Sequence, residues 1–531
     1  MSRAKLFIAV FLASLFIVIG ASLSATITVV AGDGTDLKKA VEVSVNAGDI
    51  IELPIGTYLV PSTITWPNKV NITLKAMSSG GANSTNVIIS PLVANSYSFV
   101  SHNNAVGLTM ENVTITGFGN STQNGPVFSH GTLLTPRVEL NNVIIKGNNG
   151  AYGGVSYYGT HTWTNCQIAS NNATYGGATY YGTHMWTNCQ IIRNKSSSGG
   201  VARQGTHTWT NCQIISNNAT VGGVTYDGTH TWTNCQIVSN NASNYAGVSY
   251  SGTHIWRNCL INRNRATNYG GVACYGTHLW QNCVINSNTA NNYGGVVANP
   301  TNFTLLNSTI SMNDTTRDMF YDISTTYKIT AYNSIFAGLL LSGGNYADNT
   351  YSNCLFSLPT SSYIATFSQS IVTDPQFINE QLEVSENALS WNAGSNSLWL
   401  SNSRNVTADY KGYPRVKNTI DIGAYELMRP EMSSTYIDTR SNRYQPTVAI
   451  APVGILEGEP AISFYEWYVG KDPVGTTITK TGGTSIVPTM LRYDNYVRVR
   501  AVNSIGLRGL WKTVVKFFLI PYDMGVYYGS N

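Results

Sequence analysis

At 531 residues the chain has the length of several domains, yet only 11% of its residues are charged and the net charge is +4, read as carrying no basic cluster. That excludes the concentrated positive footprint of a nucleic-acid-binding protein. The polar character comes instead from Ser, Thr, Asn, Gly and Tyr, the composition of an uncharged, solvent-exposed surface.

The first 25 residues read as a secretory signal. Met1-Ser2-Arg3-Ala4-Lys5 supplies a basic start, residues 6–19 an apolar core, and Ala21-Ser22-Leu23-Ser24-Ala25 a stretch of small residues suited to cleavage. The alternative is an uncleaved anchor, although the run is short for a span. No second long apolar stretch follows, and no Cys stands after the signal to accept lipid. The expectation is a secreted or cell-surface protein with no membrane span in the mature chain.

Next come Gly32-Asp33-Gly34-Thr35-Asp36-Leu37-Lys38-Lys39-Ala40 and Ala47-Gly48-Asp49-Ile50-Ile51-Glu52-Leu53-Pro54, which resemble the N-terminal cap of pectin-lyase-like β-helices, a resemblance that implies a short helix leading into a first strand. Beyond them a motif, Gly-Thr-His-x-Trp-x-Asn-Cys, occurs six times, from Gly159, Gly182, Gly205, Gly228, Gly252 and Gly276, at a period of 23 and then 24 residues. A fixed period of that size marks a solenoid, whose units bury their apolar faces only by stacking. Each period holds three short extended runs rich in Val, Thr, Tyr, Trp and Ile, parted by Gly or Asn and closed by a polar turn. The expected fold is all-β: a parallel β-helix of three strands per 23–24-residue coil, with about eleven coils rising ~4.8 Å each.

The degenerate coils assign the faces. Aligned on the corner residues Asn112, Asn142, Asn165, Asn188, Asn211, Asn234, Asn258, Asn282, Asn307, Asn333 and Asn353, the position two before holds Met110, Leu140, then Trp163, Trp186, Trp209, Trp232, Trp256 and Trp280, then Leu305. Four before stand Leu108, Val138, then His161, His184, His207, His230, His254 and His278, then Phe303 and Ile329. Three after stand Ile115, Ile145, Ile168 and their equivalents through Ile310. Side chains alternate along a strand, so the His, Trp and Ile columns are expected inside. The Thr column (Thr160, Thr183, Thr206, Thr229, Thr253, Thr277) and the column ending in Arg257 and Gln281 are expected to face water.

The run Asn-Cys-Gln-Ile-x-x-Asn-x-Ala-x-x-Gly-Gly-Val/Ala resembles the repeats of chlamydial polymorphic outer-membrane proteins. The segment around Asp33–Lys39, together with Asp374-Pro375-Gln376-Phe377 and Asp421-Ile422-Gly423-Ala424-Tyr425-Glu426, resembles the N-terminal cap and C-terminal close of the pectin-lyase-like β-helix superfamily. The resemblance covers residues 26–427 and implies the right-handed hand. It implies little about activity, because the superfamily holds lyases, hydrolases, adhesins and inert spacers. After a linker at 428–444, alternating runs such as Phe464-Tyr465-Glu466-Trp467-Tyr468-Val469 and Tyr496-Val497-Arg498-Val499-Arg500-Ala501 suggest a small β-sandwich over 445–531. It resembles a fibronectin type III or immunoglobulin-like module, which spaces or tethers.

Several columns invite chemistry. Histidine ligates metals, but a parallel ladder aims every ring the same way, so the His column reads as structural and no metal is expected. Cys166, Cys189, Cys212, Cys235, Cys259 and Cys283 have parallel Cα–Cβ vectors that disfavour bridging, and are expected to be mostly free thiols. The corner Asn column is expected to stack its amides. Tyr157, Tyr158, Tyr180, Tyr181, Tyr226, Tyr250 and Tyr275 are the candidate ligand contacts, because alternation must expose some of these rings. Acid–base cleavage of a polysaccharide needs paired carboxylates, and between Asn142 and Asn307 the only acid is Asp227. The one local cluster is Asp314, Arg317, Asp318 and Asp322. The expected function is a binding or structural protein, an adhesin contacting a glycan or a surface protein, without cofactors. The alternatives are a polysaccharide lyase or glycoside hydrolase, for which calcium would enter, and a passive spacer.

Overall fold

The computed structural model describes residues 24–102, 107–131, 137–311, 318–321, 328–338, 341–342, 349–358 and 366–379, with shorter stretches between 381 and 529. The leader residues 1–23, and with them most of the expected signal, lie outside the described residues. The chain divides into two compact units, residues 1–373 and 374–531.

The first unit is a parallel β-solenoid of about a dozen turns. Three long parallel sheets run along it, of 15, 14 and 12 strands. In one coil these are Thr160–Thr164 on the tryptophan sheet, Gln167–Ala169 on the isoleucine sheet and Ser156–Tyr157 on the tyrosine sheet. Register is unbroken from coil to coil: His161 pairs with His184, Trp163 with Trp186 and Ile168 with Ile191. The reason is the corner residue. Asn165, Asn188, Asn211, Asn234, Asn258 and Asn282 all adopt left-handed φ of 52° to 54°, a region that Asn tolerates best among residues with a side chain. Each sits where the tryptophan strand bends into the isoleucine strand.

The segment read as a polar turn is itself a fourth parallel ladder. Asn149–Tyr152 pairs with Asn172–Tyr175, and Asn218–Val221 with Asn241–Tyr245; bridges through Lys195 and Ser198 join the two sets. What holds it is a second asparagine column that the corner alignment did not single out. Asn148, Asn171, Asn194, Asn217, Asn240, Asn264 and Asn288 are fully buried. The Asn194 Nδ2 donates to Asn217 Oδ1 at 3.1 Å and to the Ile168 carbonyl at 2.9 Å, while its Oδ1 accepts from Asn171 Nδ2 and from the Asn171 backbone N–H. Both amide hydrogens and the oxygen are thereby used, so burying the amide leaves nothing unpaired.

At the N-terminus, Asp33 caps the helix Gly34–Lys39 by accepting from Thr35 N and Asp36 N, and Leu37 and Val41 enter the core. The second unit begins with the Asp374 segment. In it Asp421 accepts from Asn392 N and Asp409 from Glu426 N, around buried Ile420, Ile422 and Ala424. Beyond lie two antiparallel sheets. One has five strands, with Ile462–Gly470 beside Tyr493–Asn503. The other has three, and its strand Thr435–Asp438, in the stretch read as linker, pairs with Thr447–Ile450. Trp467, Val497, Val499 and Ala501 are buried here. Buried Glu466 accepts from Arg500 Nε at 2.6 Å and Arg508 Nε at 3.0 Å.

Candidate functional site

The interior ladders are buried, and each makes its own set of contacts. Trp163, Trp186, Trp209, Trp232 and Trp256 stack in parallel, with ring centroids 4.5 to 4.8 Å apart and planes within 7°. Trp280 breaks the stack, meeting Trp256 edge-on at 71°. The histidines are fully buried beside them. His184, His207, His230, His254 and His278 each place Nε2 at 2.6 to 3.1 Å from the carbonyl oxygen three residues earlier, on Tyr181, Gln204, Asp227, Ser251 and Tyr275. A carbonyl only accepts, so Nε2 carries the proton and Nδ1 is bare. Burial in this apolar column pushes His184, His230 and His278 down to about 4, and they are neutral at pH 7.

All eight cysteines are free and buried. The thiol of Cys212 donates to the Thr210 carbonyl at 3.2 Å and that of Cys235 to Thr233 at 3.3 Å. In later coils Ser308 and Ser334 make the same bond to Leu306 and Tyr332. The column therefore caps the carbonyl ahead of the corner Asn, and burial holds the Cys235 and Cys259 thiols well above their usual range. The corner amides bond along the axis as well: Asn188 to Asn165, Asn211 to Asn188, Asn234 to Asn211 and Asn282 to Asn258, each at 3.2 Å. Among the described residues no group of three or more His, Cys, Asp or Glu could hold a metal ion.

The outer surface offers three distinct faces. On the tryptophan sheet Thr183, Thr206, Thr229 and Thr253 are exposed, with Met185 at 44% among them. Gln281 departs from the expectation for its column: it is fully buried and accepts from Arg257 Nε at 3.0 Å.

The tyrosine face is the second. Tyr157, Tyr180, Tyr226 and Tyr250 point outward from their strands and are half-buried, while Tyr275 is 37% exposed. Tyr157 stacks on Tyr180 at 5.7 Å and Tyr226 on Tyr250 at 5.0 Å. Between these pairs Arg203 fills the column, its guanidinium 4.2 Å from the Tyr175 ring, 5.1 Å from Tyr226 and 5.6 Å from Tyr180. Desolvation pushes the Tyr180 and Tyr250 phenols up to about 12, so both remain protonated donors. Tyr158, Tyr181 and Tyr275 occupy left-handed corners, at φ of 60°, 57° and 60°. A bulky side chain there costs roughly 1 kcal/mol relative to Gly or Asn. The buried histidines bond the carbonyls of Tyr181 and Tyr275, so the interior ladder fixes the corners that present these rings.

The third face is a groove of about 370 Å³ along the fourth ladder. Asn149, Asn172, Lys195 and Asn218 form one wall, and Thr174, Ser197, Thr220 and Ser243 the other. The same short strands end in Tyr152 and Tyr175, which stack on each other at 5.2 Å; Tyr152 also meets the Tyr180 ring at 4.9 Å. Groove and tyrosine face are thus continuous. Sequence reasoning passed over the groove because its residues read as turn. The signal that finds it is the Asn six places after each corner Asn from Asn142 to Asn282.

Of the acid cluster, Asp314, Arg317 and Asp322 lie outside the described residues. Asp318 is 7% exposed, and its backbone carbonyl accepts from Gly295 N at 2.7 Å. Asp227 caps its own corner, accepting from Gly228 N at 2.8 Å.

Comparison with protein-family models and with curated proteins finds no match. Among solved structures the chain is similar to the PL6 family alginate lyase AlyGC, with 12% identity and TM-score 0.37 over 68% of this chain; it spans 57% of the lyase's length. It is also similar to the A-module of the Azotobacter vinelandii mannuronan C-5 epimerase AlgE4, with 12% identity and TM-score 0.25 over 66% of this chain and 98% of that one. A third is tailspike protein gp49 of the Acinetobacter baumannii bacteriophage Fri1, a capsular polysaccharide depolymerase, with 11% identity and TM-score 0.22 over 96% of this chain and 82% of that one. No helix among the described residues is long and apolar enough to cross a membrane.

Proposed function

We propose that this protein is an exported surface or extracellular adhesin that binds an extended glycan along the tyrosine face and its groove. The observation that carries the reading is the continuity of half-exposed tyrosine rings with a groove of amides and hydroxyls. Sugars present apolar C–H faces and a rim of hydroxyls, and the two walls offer one partner for each. Successive coils rise ~4.8 Å, close to the length of one pyranose residue, so a linear glycan lying parallel to the axis meets the same pair of side chains at each step. Bulky tyrosines held in strained corners, where Asn299 stands in a later coil, favour a role for the rings beyond packing. The antiparallel module after the solenoid suits a spacer or tether.

A glycan array followed by calorimetry tests this. Replacing Tyr157, Tyr180 and Tyr250 singly with Ala is expected to weaken binding about fivefold each, with unchanged circular dichroism. Binding that survives all three replacements, or an array without a ligand, refutes the reading; capture of a protein partner by the same face would replace the glycan.

A further inference from the structure

The whole-chain balance of +4 conceals an uneven distribution. Between Asn142 and Asn307 there are seven Lys and Arg against one acid, Asp227. Four of the seven flank the buried asparagine column in a repeated pattern, Arg193-Asn194-Lys195 and Arg263-Asn264-Arg265, and all four are exposed. Asp227 stands instead at the corner between the tyrosine and tryptophan sheets. In the groove's own column the order is Asn149, Asn172, Lys195, Asn218, Asn241, Arg265. Lys195 and Arg265 are therefore three coils apart, about 14 Å, with neutral amides between them. Arg203, in the tyrosine column, sits in the same coil as Lys195.

Resting on the glycan-binding reading, we infer that the ligand is an acidic heteroglycan charged at every third or fourth sugar. A polymer carrying a carboxylate on every residue would set anions against Asn172, Asn218 and Asn241, which cannot neutralise them. A neutral polymer would leave Lys195 and Arg265 without a counter-charge. At physiological salt the screening length is about 8 Å, so the two cationic positions act separately and each takes its own anion. Arg265 reaches Asn291 Oδ1 at only 3.3 Å, and Lys195 makes no ion pair among the described residues, so both heads are available to a ligand.

Calorimetry with four probes decides: dextran (neutral), gellan oligosaccharides (widely spaced carboxylates), hyaluronan oligosaccharides (alternate residues charged) and oligogalacturonate (every residue charged). The expected result is tightest binding to gellan at physiological salt. The Lys195→Gln, Arg265→Gln double variant should lose about tenfold in affinity and most of its salt dependence. Both positions are exposed, so folding is checked by circular dichroism and left unchanged. Equal or tighter binding of dextran, hyaluronan or oligogalacturonate, or a double variant that binds gellan as the parent does, overturns the charge spacing and leaves glycan binding standing. Failure to bind any probe, with no ligand on the array, overturns both.

Discussion

The regular block from Asn142 to Asn307 and the coils that flank it share one backbone and differ in filling. Where the block stacks His161 on His184 and Trp163 on Trp186, the preceding coils place Val138 on Leu108 and Leu140 on Met110, and the following ones Phe303 on Ile329 and Leu305 on Ala331. Fillers other than His and Trp, most of them aliphatic, thus close the same coil. The difference teaches that the aromatic filling is one solution copied by tandem repetition, and that its distinct consequence lies at the corner. From His184 to His278 the Nε2–H fixes the carbonyl of the left-handed residue that carries a tyrosine or a polar side chain outward. At Phe303 there is no such donor.

Acid should separate the two regions most. A histidine whose folded pKa is depressed contributes stability that is complete above its unfolded value near 6.5 and is lost as pH falls toward the folded value. For His184, His230 and His278, held at about 4 by burial, the window is pH 6.5 to 4. Each contributes a loss of about 3 kcal/mol at the lower end. Hydrogen exchange at pH 4.5 should open the strands Thr183–Thr187 through Thr277–Gln281 before Asn302–Leu306. Equal protection in both would break the comparison.

Trp209→Ala comes next. It removes the middle ring of the parallel stack and is expected to cost about 3–5 kcal/mol, read from urea unfolding. Trp209→Leu, which installs the flank's filler, should recover part of that loss. Smallest is Cys212→Ser. The hydroxyl takes over the bond to the Thr210 carbonyl as Ser308 does to Leu306, and the change should stay under about 1 kcal/mol. A large loss would mean that the thiol column does more than cap carbonyls.

Strand parity was legible in the sequence because degenerate coils substitute only what fits inside: a column read as His, Val, Phe and Ile can only be core. The corner asparagines were legible because left-handed φ selects them. The second asparagine column was hidden, since Ser-Asn-Asn reads as turn chemistry unless each amide is known to reach the next coil. The basic edge was hidden by averaging charge over 531 residues, although Arg193-Asn194-Lys195 and Arg263-Asn264-Arg265 stand in plain view. Gln281 departs for another reason: its outward direction is correct for its strand, but the side chain is buried and accepts from Arg257 Nε.

The central claim is that the interior ladders hold the fold while the tyrosine face and groove do the binding. Hydroxyl-radical footprinting with and without the glycan selected on the array addresses it side chain by side chain. The account predicts protection of Tyr157, Tyr180, Tyr250 and Tyr275 on binding, with Met185 on the threonine face unchanged. Protection of Met185, with those tyrosines reacting as freely as before, would contradict it.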